Sequence, residues 1–177
     1  MKLWIFQPSE LGLGFYLFLI ATSFWILARR PHKLISILFP VFALAEGLLI
    51  DWRWGRLPQF DELTRLILGG LPSFLIAIGF PFVGFFLHHI LPDAVKTFLR
   101  NTNSFPFSDV KQLDATIIHQ YYKWGFIYSF STLTFHELSQ LLNLSKRNTF
   151  DPFDLAAIVL GSLISLLLFK WIKHPRI

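Results

Sequence analysis

Residues 66–92, LILGGLPSFLIAIGFPFVGFFLHHILP, contain no Asp, Glu, Lys or Arg. A helix needs about 20 apolar residues to cross the roughly 30 Å of hydrocarbon in a bilayer, at about 1.5 Å per residue. This stretch is longer than one straight crossing requires. Gly69 and Gly70 predict a break, Pro72 suits the first turn of a helix, and Pro81 predicts a kink. The expectation is a span over 72–90.

The rest of the chain has the same character. Of 177 residues, 54% are hydrophobic and only 15% charged, against about 25% charged in a soluble domain. Mean hydropathy is +0.53. These values exclude a disordered chain, a secreted disulfide scaffold and an ordinary soluble enzyme. With no cysteine there is no disulfide, thiolate metal site or cysteine nucleophile. Further apolar runs occur at 11–28, 34–50, 123–144 and 155–171. The predicted fold is all-α, a polytopic membrane helix bundle of about five transmembrane helices forming a single domain over 1–177.

Five crossings put the two ends on opposite sides. The 16 Lys and Arg then divide 10 against 6, with the C-terminus on the richer side. The positive-inside rule orients the N-terminus outside and the C-terminus in the cytoplasm. The net charge of +5 therefore reads as topology, and the dispersed basic residues exclude nucleic-acid binding.

Short segments join the spans. The link ARRPHK at 28–33 forces spans one and two into a hairpin. DELTRLIL at 61–68 reads as a helix on the outer membrane surface. The connection 92–122 reads as a short helix (DAVKTFLR), a turn, and a second surface helix. Ser108 would cap that second helix, and Val110, Leu113, Ile117 and Tyr121 would form its apolar stripe.

An ionisable side chain inside a span costs about 2.5–3.5 kcal/mol, so it should face protein or water. Span two carries Glu46, and span four carries His136 and Glu137. Both spans run outward, so the two glutamates fall at similar depth in the outer third. This predicts a shared polar pocket opening outward. The alternative is that each carboxyl only stitches helices together. In HELSQLL, Gln140 lies three residues from Glu137 and four from His136, within reach of both. The following SKRNTFDPFD adds Lys146, Arg147, Asp151 and Asp154 on the same side. Capping alone accounts for both aspartates in a second reading, with Asp151 as N-cap, Pro152 as first helical residue and Asp154 at the capping-box position. Arg147 could pair with either aspartate or hold a lipid phosphate.

The stretch 135–165, FHELSQLLNLSKRNTFDPFDLAAIVLGSLIS, resembles the C-terminal signature of the VanZ-like membrane proteins. Glu137, Gln140, Arg147, Asp151, Asp154 and Gly161 fall at the positions of that signature. The Asp-Lys-x-x-His motif of the family's middle region is matched only by Asp114 and His119, without the Lys and one residue too far apart. The resemblance implies a bacterial cytoplasmic-membrane protein of the cell envelope, a family linked in some members to glycopeptide resistance. It implies a candidate polar site more than a reaction.

Three functions are open at this stage. One is a VanZ-like protein that binds or modifies a lipid-linked or glycopeptide-type ligand, with Glu46, His136, Glu137, Gln140, Arg147, Asp151 and Asp154 around it. Glu137 would be the best-placed general base if there is catalysis. The second is a non-catalytic accessory subunit of a larger membrane complex. His88, His89 and His119 would be the only ligands for a haem or pigment metal, and no attachment motif accompanies them, so no cofactor is predicted. The third is a transporter or channel, which one copy with so few buried charges supports poorly. Expected partners are membrane lipids, other subunits or further copies of the chain.

Overall fold

The computed structural model describes residues 10–29, 33–53, 59–102, 115–142 and 152–173. Every regular element among them is helical: α1 (Glu10–Arg29), α2 (Lys33–Arg53), α3 (Glu62–Gly79), a 3-10 turn (Phe80–Phe82), α4 (Val83–Ile90), α5 (Asp93–Asn101), α6 (Ala115–Leu141) and α7 (Pro152–Lys173). Three helical segments are long and apolar enough to cross a membrane: Leu34–Trp52, Glu62–Ile90 and Pro152–Ile172. The chain is a membrane-embedded helical protein. Helices suit this setting because they satisfy their backbone hydrogen bonds internally where no water is present.

The surface helix expected over 61–68 does not exist as a separate element. Asp61 caps α3, accepting from the Thr64 amide at 3.0 Å and the Thr64 hydroxyl at 2.6 Å. The helix then runs unbroken through Gly69, Gly70 and Pro72. Pro72 is an interior residue and not a first-turn one. Gly70 does not break the helix but admits a neighbour. A methyl group there would touch the Ala157 side chain and the Phe153 carbonyl of α7. That is ordinary van der Waals contact; the tighter α3–α7 approach is at Gly161, where a Cβ would strike the Phe74 carbonyl. Pro81 does interrupt the helix as predicted, within the 3-10 turn Phe80–Phe82.

The second surface helix of the 92–122 connection and the fourth span are likewise one element, α6. Lys123 opens the apolar run in sequence, but its exposed side chain lets a single helix run through it. Ile117 and Tyr121 do not form a surface stripe. They are buried in the core with Ile35, Phe82, Phe85, Tyr122 and Phe169. Ser108, Val110 and Leu113 lie outside the described residues.

Directions follow from individual contacts. Tyr16 of α1 lies over Gly47 of α2. On α2, Ser36 meets His89 and Phe42 meets Gly79, so α2 is antiparallel to the α3–α4 column. On α6, Tyr121 packs on Phe85 and Gly125 on the Pro81 carbonyl, so α6 is also antiparallel to that column. Gly70 meets Ala157 and Phe74 meets Gly161, so α3 and α7 are parallel. The Tyr122 ring stacks on Phe169 of α7 at 3.9 Å between centroids and 6° between planes.

The Gly125 contact is tight enough to require glycine. A Cβ there would strike the Pro81 backbone carbonyl, which cannot rotate away. Gly125→Ala should therefore destabilise the bundle by about 1–3 kcal/mol, the usual cost of overpacking. Unfolding of the purified chain in increasing SDS would measure it, and wild-type stability would contradict the contact.

The α3 cap carries a pH dependence. Hydrogen bonds from the Thr64 hydroxyl and amide hold the Asp61 carboxyl below its ordinary value of 3.8. A depressed pKa in the folded state means the cap is at full strength above the unfolded pKa. It is lost as pH falls through the folded value. Amide exchange at Thr64 should accelerate in Asp61→Ala at neutral pH. In the wild type, protection relative to the rest of α3 should decline only in acid below the ordinary carboxylate range.

Candidate functional site

Two polar groups occupy one end of the bundle and a third occupies the other. At the first end, α6 brings Glu137 and Gln140, both buried. They are three residues apart, and the Gln140 amide donates to Glu137 Oε1 at 3.4 Å. The position of Glu137 along the column follows from the Gly125–Pro81 contact. Twelve residues of helix, about 18 Å, carry α6 to the level of Gly69 and Gly70. Asp154 in the first turn of α7 sits at that same level, adjacent to Gly70. Its Oδ1 accepts from the Ser73 hydroxyl of α3 at 3.1 Å. Helices α3, α6 and α7 therefore bring two carboxyls, a hydroxyl and a carboxamide to one end.

Glu46 belongs to a second group at this end. Tyr16 packs over Gly47 and donates to Asp51 Oδ2 at 2.6 Å, with Glu46 within electrostatic reach of the same hydroxyl. The Phe42–Gly79 contact places Glu46 opposite residue 75, about 9 Å deeper than the level of Glu137. Helices α2 and α6, which carry the two glutamates, have no substantial packing on each other among the described residues. The two glutamates thus share an end of the bundle at different depths.

Other predicted residues divide clearly. His136 is exposed, whereas Glu137 and Gln140 point inward, so the pair on this face is Glu137–Gln140. Asp154 engages α3, accepting from the Ser73 hydroxyl. Lys146, Arg147 and Asp151 lie outside the described residues, within the segment 143–151 that joins α6 to α7. Tyr16, Asp51 and Ser73 were not expected. Their signal is a hydroxyl at the same end of a neighbouring span as a carboxylate, which hydropathy alone does not register.

The opposite end holds the histidines. His88 Nδ1 and the Tyr121 hydroxyl share a hydrogen bond at 3.0 Å. His89 Nε2 and the Ser36 hydroxyl share one at 2.9 Å. The two imidazoles meet edge to face at 5.3 Å. His119 is exposed, its ring edge-on to Phe169. Among the described residues no group of three or more His, Cys, Asp or Glu is arranged to hold a metal ion. These imidazoles tie α4 to α6 and α2.

A buried hydrogen bond is worth about 0.5–1.5 kcal/mol net, and an orphaned partner costs more. Ser73→Ala should lower stability by about 1 kcal/mol, and a double-mutant cycle with Asp154→Ala should give a coupling of at least about 0.5 kcal/mol. Additive losses would mean that the two side chains do not interact.

No protein-family model, curated protein or solved structure matches the chain.

Proposed function

We propose that the chain is a VanZ-like multi-pass protein of the bacterial cytoplasmic membrane that binds or modifies a lipid-linked ligand at the end formed by Ser73, Glu137, Gln140 and Asp154. The observation that carries this reading is the pair of carboxyl-bearing helices, α6 and α7, meeting α3 at one level near the end of an apolar bundle. Buried carboxylates and a carboxamide accept from hydroxyl, amide or ammonium groups. The adjoining segment 143–151 contributes Lys146 and Arg147, which suit a phosphate. A headgroup rich in hydroxyls and amides and linked through phosphate to a lipid meets both requirements. The apolar outer faces of α6 and α7, including Phe135, Leu138 and Leu160, would let its lipid approach from the bilayer.

The alternating directions of α1, α2, the α3–α4 column, α6 and α7 support five crossings. In that arrangement the N-terminus is outside and the C-terminus cytoplasmic, and the carboxyl-rich end faces outward. Glu137 is then the residue best placed to accept a proton if the ligand is chemically altered.

The test is expression in a glycopeptide-sensitive bacterium. The wild-type chain should raise the inhibitory concentration of a glycopeptide. Glu137→Gln and Asp154→Asn, at equal membrane abundance, should abolish the increase, and Ser73→Ala should reduce it. Full protection by Glu137→Gln would remove that carboxylate from the mechanism. A wild-type chain without any effect, purifying in mild detergent with stoichiometric partner subunits, would favour the accessory-subunit reading instead.

A further inference from the structure

The helix α5 is inside out for a soluble protein. Val95 and Phe98 are three residues apart and share one face. Val95 is 39% exposed and Phe98 is 66% exposed. Lys96 and Thr97 fall on the opposite face and are the more enclosed residues. The Lys96 side chain is only 15% exposed and is held by Asp93 at 3.1 Å. Helix α5 therefore exposes its apolar face and encloses its polar one. In water this arrangement would leave a large aromatic ring without cover.

The position of α5 identifies the cover. Only Leu91 and Pro92 separate the apolar segment Glu62–Ile90 from Asp93. Leu91 is extended, and the Pro92 carbonyl accepts from the Val95 and Lys96 amides to start the new helix. The chain thus leaves a membrane-crossing column and turns at once into a short amphipathic helix, at the level where hydrocarbon gives way to headgroups. Among the described residues α5 has no substantial packing against another helix. We infer that α5 is an interfacial anchor whose Val95–Phe98 face is buried in the lipid surface at the end of the bundle opposite Glu137 and Asp154. Its occupant is lipid, because the apolar face continues directly from a lipid-crossing element. With Lys96 already paired to Asp93, apolar burial carries the attachment. The anchor fixes the depth of α4, and so of the His88–Tyr121 and His89–Ser36 bonds, relative to the membrane surface.

The absence of native cysteine makes the test direct. Single-cysteine chains Asp93→Cys, Val95→Cys, Phe98→Cys and Asn101→Cys would be spin-labelled. They would be reconstituted into phosphatidylcholine vesicles containing phosphatidylglycerol. Access of oxygen, which concentrates in lipid, would be compared with access of a water-soluble nickel chelate. Positions 95 and 98 should favour oxygen several-fold more than positions 93 and 101. Two positions report on the apolar face, so poor folding of one labelled chain leaves the other decisive. Equal access of the nickel chelate at all four positions would overturn the proposal. Shielding of 95 and 98 from both reagents would also overturn it, because a protein surface would then be the cover.

Discussion

The close approach of Gly125 to the Pro81 carbonyl governs how this bundle closes. The α3–α4 column is interrupted there by a 3-10 turn, and α6 reaches it only because residue 125 has no side chain. Once that contact is made, helical rise sets the rest. Toward one end it carries Tyr121 to His88 and Phe85. Toward the other it carries Glu137 and Gln140 to the level of Gly70 and Asp154. A bulkier residue at 125 would hold α6 away at the midpoint and loosen both ends.

The two ends obey one rule with different chemistry. Where water is scarce, a polar side chain must find a protein partner or it opposes insertion. At one end the partners are hydroxyls and a carboxamide, matched to carboxyls in Tyr16–Asp51, Ser73–Asp154 and Gln140–Glu137. At the other end they are imidazoles matched to hydroxyls, in His88–Tyr121 and His89–Ser36. Between the ends the contacts are aromatic and small, with Tyr122 stacked on Phe169 and Gly161 seated against the Phe74 carbonyl. The polar pairs that join helices form a pattern, with carboxyls at one end and imidazoles at the other. That asymmetry is what makes the acidic end a candidate binding site and the histidine end a set of cross-ties between helices.

Much of this was legible in the residues, and the misreadings have physical causes. Apolar runs marked three of the membrane-crossing helices, because the bilayer penalises charge strongly. Glu137, Gln140 and Asp154 stood out for the same reason, as polar groups that need partners. The break placed at Gly69–Gly70 came from treating glycine and proline as helix terminators. In an apolar column those residues stay helical, and Gly70 marks where α7 comes close. Lys123 marked the start of an apolar run without starting a helix, since an exposed lysine costs α6 little. Tyr16 and Ser73 were not legible, because a hydroxyl becomes informative only when packing sets it opposite an acid. The depths of Glu46 and Glu137 were read as similar from span boundaries. The packing registers place them about 9 Å apart in depth.

The antiparallel seating of α6 along the α3–α4 column is the claim on which the acidic end depends. It is tested most directly by electron–electron distance measurement between spin labels in reconstituted vesicles, using the cysteine-free background. A label at exposed Leu142, just past the C-terminal end of α6, should lie close to a label at exposed Leu63 in the first turn of α3. Its distance to a label at Val95 should be longer by an amount approaching the column itself, about 40 Å for the 29 residues of Glu62–Ile90. Equal distances, or a Leu142 label nearer to Val95 than to Leu63, would contradict the arrangement and separate Glu137 from Asp154.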